Sequence, residues 1–363
     1  MGDFYIRLSA PGVYIPSRGE NDINVITNAD LERIVNTSDE WITTRTGIKE
    51  RRISHDLGVH KIAVLAAKDV LEKIHLDPTE IDEINFATNR HYKEQEFRNL
   101  AAYVAINIGA RTENIALEDS AAGCTGLIYA IRKAYNTLKV EEDKKNILVI
   151  GAENLPDMTD YSDRNTCILF GAGACAYLLK RVEGKKEGII KCTVGGKPDK
   201  GDKDWPDGFL GLKYKNGLKI RPSKDPNKKF ETYPKKQNYL IMKGKEIMKF
   251  APRAMMLAVH KVLEGTPYSI ENVNVIIPHG ANARITNNAE KDARKKGFSG
   301  TVFTNLDKYG NTSTASVGIA EAEAREKRVT ETSERKIIEP GDLVIDVAFG
   351  AGLTWGAILK RAS

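Results

Sequence analysis

The sequence predicts an α/β fold built from two copies of one unit, and three matched pairs met in the same order in both halves carry that expectation. LDPTEIDEINFAT (76–88) echoes YSIENVNVIIPH (268–279), with Phe86 on Ile276 at an offset of 190 residues. The same offset carries Cys124 to Thr314, each at the opening of a helix rich in small residues. NILVIGAE (146–153) then echoes DLVIDVAF (342–349), with Leu148 on Leu343 at an offset of 195. At 363 residues the chain exceeds the size that one core usually serves, so a duplicated domain accommodates its length.

Taken in order, residues 1–16 read as a strand and turn. Thr27 to Asp30 caps a short helix through Val35, and Ser38 or Asp39 caps another running toward Arg45. Apolar residues at helical spacing over 60–74 lead through Asp77-Pro78 to a strand over 81–88. A short strand at 115–117 gives way to Gly123-Cys124-Thr125-Gly126 and then to a helix. Residues 196–236 interrupt the alternation, and a partly ordered excursion with short strands is expected there. Residues 239–263 read as a helix bent or interrupted at Pro252. The division that follows is an N-terminal half over 1–185, a Lys-rich excursion over 186–240 and a C-terminal half over 241–363.

Composition excludes several classes of function. Hydrophobic residues make up 41% and charged residues 29%, which describes a packed globular chain rather than a disordered one. No apolar run reaches the roughly 18 residues needed to span a bilayer, and MGDFYIRLSAPG lacks a signal-peptide core, so a cytoplasmic protein is expected. Four cysteines without a CxxC spacing offer neither a metal site nor a disulfide framework. The net charge of +6 is concentrated between Gly196 and Lys236, where eleven Lys and one Arg face six acids. A solvated loop accounts for such a run, and a docking surface for an acidic partner is the alternative. No aromatic-basic interleaving accompanies it, so nucleic acid is not an expected partner.

Cys124 stands where strand turns into helix. The unpaired N–H groups of a helix's first turn, at the positive end of its dipole, favour a thiolate there. A lone cysteine at such a turn is more often a packed core residue, so its neighbours decide. A thiolate nucleophile needs a partner, and of six histidines His279 is the one at the end of a buried-strand pattern, VNVIIPHGAN, where α/β proteins keep their sites. Asn311, in KYGNTSTAS, reads either as an N-cap or as a neutral donor that stabilises an anion without protonating it.

The blocks TSDEWITTRTGIKERR (37–52), DSAAGCTGLIYA (119–130), YSDRNTCILFGAGACA (161–176), PHGAN (278–282), YGNTSTAS (309–316) and FGAGLTWGAIL (349–359) run in order along the whole chain. Together they resemble β-ketoacyl-acyl-carrier-protein synthase III of the thiolase superfamily. The resemblance implies a thiolase-like duplicated fold in five layers, α-β-α-β-α. It implies that Cys124 accepts an acyl group from acyl-CoA and that His279 and Asn311 serve the decarboxylation of malonyl-acyl carrier protein. The N–H groups of Cys124 and Gly352 would form the oxyanion hole. Trp41 and Arg164 match residues flanking the adenine of coenzyme A, and Arg45 and Asn282 belong with them along the CoA and pantetheine path. Arg284 and Lys291, with Arg294 and Lys295, lie on what would be the carrier-docking helix. Phe97 falls near the acyl pocket of a homodimer. Coenzyme A enters as a thioester substrate, with no resident cofactor.

Four departures from the family pattern bear on the substrate rather than the chemistry: Ala172 in place of the usual Asp, Gly280 in place of the usual Gln, HYKEQEFRN (91–99) in place of a Pro-bearing segment, and the length of the Lys-rich excursion. An acyltransferase or a non-decarboxylative condensing enzyme on the same fold is the alternative, with Glu94 or Glu96 supplying a base.

Overall fold

The computed structural model describes residues 3–16, 23–89, 99–184, 188–201, 208, 210–225, 227–330 and 333–363. The N-terminal half contains β1 (Phe4–Leu8), β2 (Gly12–Tyr14), β3 (Val25–Thr27), α1 (Asn28–Glu32), α2 (Asp39–Thr46), β4 (Glu50–Arg52) and α3 (Val59–Ile74). It continues with β5 (Glu83–Ala87), α4 (Leu100–Ile108), β6 (Ala116–Ser120), α5 (Gly126–Val140), β7 (Asn146–Asn154) and β8 (Ala172–Glu183). Beyond it come β9 (Ile189–Gly196), β10 (Leu210–Pro222), β11 (Phe230–Met242), α6 (Gly244–Leu263), β12 (Val275–Pro278) and α7 (Ala283–Lys295). The chain closes with β13 (Thr301–Val302), α8 (Leu306–Tyr309), α9 (Ser316–Glu326), β14 (Leu343–Gly350) and β15 (Thr354–Arg361).

The duplication is visible in strand order. One sheet runs β1-β8-β7-β5-β6, with β2 also on β8, and the other runs β9-β15-β14-β12-β13. In each, the three strands at one end are parallel and the next two antiparallel. Register fixes the correspondence independently of the letters: Phe86 pairs with Ile150 as Ile276 pairs with Ile345. The 190-residue offset between β5 and β12 therefore obliges an offset of 195 between β7 and β14, as the sequence echo has it.

The core falls into layers because β5, β7 and β14 are buried on both faces and need cover on both. Helices α5 and α9 lie between the sheets in one apolar cluster, where Leu127, Ile131 and Leu138 meet Val317, Ile319 and Ala320. Helices α3 and α4 cover the outer face of the first sheet. Helices α6 and α7 cover the second. The order is α-β-α-β-α. A buried ion cluster joins the layers: Lys360 on β15 meets Asp346 on β14 and Glu321 on α9.

Local capping follows the sequence. Thr27 and Asp30 form a reciprocal capping box, although the helix ends at Glu32 rather than Val35, and Ser38 caps α2 through the Trp41 amide.

Two expectations need correction. The Lys-rich stretch is not a loop with short strands: β10 and β11 pair over thirteen residues each. Its lysines are partly pinned. Lys215 reaches Asp160 at 2.6 Å, and Lys219 is buried with its ammonium on the Pro156 carbonyl. The division at 186–240 shifts accordingly, since β9 belongs to the second sheet and β11 runs to Met242. The helix read over 239–263 begins only at Gly244, because Tyr239 is paired in the hairpin, and it passes through Pro252 as one helix. Among the described residues no helix is long and apolar enough to cross a membrane.

Candidate active site

Cys124, His279 and Asn311, brought from both halves, line one cavity of about 650 Å³. His279 and Asn311 lie at its buried end, 1% and 6% exposed. Trp41, Arg45 and Arg284 line its open end, while Ile247, Met248 and Phe250 of α6 with Leu210 and Met242 of the hairpin form an apolar wall.

Cys124 occupies the elbow between β6 and α5, two residues before the helix begins. Gly123 makes the turn with φ +57°, and a Cβ there would stand 2.5 Å from the Ala351 nitrogen. The second elbow closes against the first. The Thr314 hydroxyl oxygen lies 3.3 Å from the Gly123 carbonyl, its proton going to Glu153 at 2.6 Å, and the Ser313 hydroxyl donates to Cys124 Sγ at 3.3 Å. The residue is half-buried, yet its thiol sits deep enough that burial pushes it up to about 12. The Ser313 hydrogen bond opposes this and the Glu153 carboxylate adds to it. Burial thus opposes the thiolate expected from the helix start, and loss of water around the sulfur outweighs what the helix terminus supplies.

His279 follows β12 and is held by its amide on the Val347 carbonyl at 2.8 Å. Its Nδ1 lies 2.6 Å from the Ser316 hydroxyl, and its ring meets Phe349 edge-on at 5.3 Å. Nε2 is buried with no hydrogen-bond partner among the described residues. Burial drives the imidazole down to about 3, so it is neutral at physiological pH. A neutral ring whose Nδ1 accepts from Ser316 presents Nε2–H to the cavity. Asn311 is tied to the Leu169 carbonyl through its amide at 2.8 Å, and its Oδ1 accepts from the Ser313 amide at 2.8 Å. With Oδ1 so occupied, the carboxamide offers Nδ2–H₂ to the cavity.

The loop after β14 corrects the oxyanion expectation. Phe349, Gly350, Ala351 and Leu353 line the cavity; Gly352 does not, and its carbonyl accepts from the Asp199 amide at 2.9 Å. A Cβ on Gly350 would stand 2.5 Å from the Cys124 nitrogen, as one on Gly123 would from the Ala351 nitrogen. The loop segments pressed against each other are therefore those that carry the Cys124 and Ala351 amides.

Toward solvent, the Arg164 guanidinium lies 4.0 Å from the Trp41 ring centroid and that of Arg45 lies 4.7 Å from it. Arg164 itself does not line the cavity. Asn282 caps α7 by accepting from the Arg284 amide at 2.9 Å and donates to the Arg45 carbonyl at 3.1 Å. Arg284 Nε donates to the Thr44 carbonyl at 3.1 Å, so both residues also lock α7 onto α2. Lys291 is exposed on α7, away from the cavity wall. Arg294 pairs with Glu290 at 2.6 Å and Lys295 with Asp292 at 3.6 Å, which leaves less free positive charge on this helix than its sequence offers. Phe97, Glu94 and Glu96 lie outside the described residues.

Residues 118–198 match the family described as 3-oxoacyl-[acyl-carrier-protein (ACP)] synthase III, and residues 263–362 match its C-terminal part. A β-ketoacyl-[acyl-carrier-protein] synthase III of Caldanaerobacter subterraneus subsp. tengcongensis is 40% identical over 353 residues, 97% of this chain and 96% of that protein. The chain belongs to the β-ketoacyl-acyl-carrier-protein synthase III family. A second member, from Aquifex aeolicus, is 39% identical over 98% of this chain and 99% of its own length. The crystal structure of the Aquifex aeolicus VF5 synthase III superposes with a TM-score of 0.78 at 37% identity, covering 98% of this chain and 99% of that one. The synthase III structure from Thermus thermophilus gives 0.77 at 33% identity, over 98% and 99% of the two chains.

Against that family frame, Gly280 is not a steric necessity, since a Cβ there would have no neighbour nearer than 3.7 Å. Sequence reasoning missed Ser316, Ser313, Glu153 and Ala351. Ser313 and Ser316 sit inside the quoted YGNTSTAS block, and Ala351 inside FGAGLTWGAIL, so both signals were at hand. Glu153, ending an apolar strand, is a buried carboxylate pushed up to about 7 by burial.

Proposed function

We propose that this member of the family loads an acyl group from acyl-CoA onto Cys124 and extends it with malonyl-acyl carrier protein by decarboxylative Claisen condensation, in fatty acid or related acyl biosynthesis. The observation that carries the reading is the convergence of Cys124, His279 and Asn311 on one cavity with Trp41, Arg45 and Arg284 at its open end.

In the first step the Cys124 sulfur bonds the acyl carbon and the carbon–sulfur bond to coenzyme A breaks. The thiol proton ends on the departing CoA sulfur. The tetrahedral oxyanion lies in reach of the Cys124 and Ala351 amides, whose preorganised dipoles favour charge that develops there. In the second step the malonyl carbon–CO₂ bond breaks, and its electron pair becomes an enolate. His279 Nε2–H and Asn311 Nδ2–H₂ hold the enolate oxygen; both are neutral donors, so neither quenches it. The enolate carbon attacks the Cys124 thioester, the carbon–sulfur bond breaks, and the Cys124 sulfur takes a proton from solvent as the β-ketoacyl thioester leaves. The scheme draws on no cofactor beyond the coenzyme A thioester.

Partners follow from the same reading. Exposed Arg284 and Lys291 suit an acidic carrier, and affinity should weaken as salt is raised. A homodimer fits the exposed edge of β6, which ends its sheet with Glu118 and Asp119 exposed. Light scattering that reports a monomer at working concentration would remove it. Four free cysteines fit a reducing cytoplasm.

Intact-protein mass spectrometry after incubation with mixed acyl-CoAs tests the central claim. Wild type should gain one acyl mass and Cys124→Ala none; an unchanged increment in the variant ends the reading. His279→Ala and Asn311→Ala should keep the increment and lose CO₂ release from the malonyl thioester.

A further inference from the structure

Behind Cys124 lies a chain of hydrogen bonds that the condensation scheme does not use. Glu153, at the end of β7, is 0% exposed. Its Oε1 accepts from the Asn89 amide nitrogen at 3.1 Å, from Asn89 Nδ2 at 2.7 Å and from the Thr314 hydroxyl at 2.6 Å. Asn89 Nδ2 also donates to the Ser313 hydroxyl oxygen at 3.1 Å. Ser313 is 2% exposed and sits in the left-handed region at φ +49°, its amide anchored by Asn311 Oδ1 at 2.8 Å.

Direction follows from chemistry. A carboxamide NH₂ donates and never accepts, so the carboxylate of Glu153 fixes which end of Asn89 faces it, and Asn89 in turn makes the Ser313 oxygen an acceptor. The one Ser313 hydroxyl proton is then left for Cys124 Sγ, 3.3 Å away. A non-glycine residue held at positive φ is costly, and it persists where the surroundings impose it.

We propose that Ser313 is a catalytic donor to the Cys124 sulfur, stabilising the thiolate as it attacks and as it departs, and that Asn89 and Glu153 are positioning residues that aim its proton. The assignment rests on Cys124 being the acyl acceptor. It gives the two halves distinct tasks at one atom: the first supplies the sulfur and its orienting carboxylate, the second the proton that the sulfur sees. Among the described residues, the titratable groups set at this site are Glu153 of β7, through its hydrogen bonds, and His279, which lines the same cavity as Cys124 and is neutral.

The rate of Cys124 alkylation by iodoacetamide, followed by intact mass between pH 7 and 10, tests this without any acyl-CoA. Ser313→Gly suits the positive φ and removes the CH₂OH group, hydroxyl included; it should slow alkylation about tenfold at each pH, the size of a hydrogen bond to a charged group. Glu153→Gln keeps the accepting oxygen and removes the negative charge, so it should accelerate alkylation. A merely structural role would move both variants the same way. A Ser313→Gly rate equal to wild type overturns the proposal, as does a Glu153→Gln rate that falls. If Ser313→Gly shows no cooperative melt, Asn89→Ala decides: slower alkylation supports the aimed proton and an unchanged rate overturns it. Wild type that is alkylated but takes no acyl group would sink the proposed function while leaving this result readable.

Discussion

Gly350 and Cys124 approach so closely that a side-chain carbon on the first would stand 2.5 Å from the backbone nitrogen of the second. Gly350 is not in the left-handed region, so space alone demands the glycine. Gly350→Ala should therefore displace the Cys124 amide rather than strain the loop. Acyl-enzyme formation is expected to fall by about 100-fold or more, the cost of losing an oxyanion donor. A melting point lowered by overpacking of about 1–3 kcal/mol should accompany it. Gly280→Ala, where a Cβ would make only ordinary contacts at 3.7 Å, should fold with little change. Near-normal self-acylation by Gly350→Ala, read from single-turnover mass spectra, would contradict the oxyanion role of that amide.

Trp41 and Arg164 face each other directly at 4.0 Å in the free protein. If a planar base of the substrate stacks on the cavity side of Trp41, with Arg164 packed against that ring, both side chains contribute to holding the bound thioester and little to the chemistry. Trp41→Ala and Arg164→Ala are each expected to raise KM for acyl-CoA about tenfold, in the range of a cation–π or stacking contact, with kcat within about twofold. Because Arg164 acts on the ligand through the Trp41 ring, the double variant should raise KM by less than the product of the singles. Multiplicative effects would place them at separate contacts.

His279 gives a stability signature with a definite sign. Burial lowers its folded value to about 3, against an ordinary 6.5, so between those limits the unfolded chain binds the extra proton. Stability contributed by the neutral ring is present above pH 6.5 and is lost as pH falls toward 3. His279→Ala lacks this titration. The melting-point gap between wild type and His279→Ala should narrow as pH falls from 7.5 to 5. A gap that widens would mean the ring is protonated in the fold.

Much of this arrangement was written locally. The offsets of 190 and 195 predicted a strand correspondence that the pairing of Phe86 with Ile150 and of Ile276 with Ile345 reproduces. Cys124, His279 and Asn311 each stand at an element end, where short motifs are informative. The hairpin was also legible: LGLKYKNGLKIRP alternates, but reading its lysines as solvated charge hid the period. The protonation state of Cys124 was not legible. Its sign depends on how much water the cavity excludes, and the walls come from residues more than a hundred positions away, such as Met248 and Phe349.

Lys360 reaches the Glu321 carboxylate at 2.6 Å and also meets Asp346, with all three side chains about 1% exposed or less. Against its burial, Glu321 is held below the usual carboxylate range by Lys360 and by Arg325 at 2.9 Å, whereas Asp346 depends on Lys360 and is pushed up by burial. Lys360→Met removes the shared cation and strands Asp346. A loss of about 3–5 kcal/mol is expected near pH 8 in urea unfolding, the cost of an uncompensated buried charge. Asp346 in the folded variant should then bind its proton more tightly than in wild type, so part of the lost stability returns as pH falls from 8. The difference in urea midpoint between wild type and Lys360→Met should thus shrink from pH 8 to pH 5.5. A pH-independent difference would show that the fold relaxes to hydrate Asp346, and that the seam between the two sheets does not depend on this ion cluster for its closure.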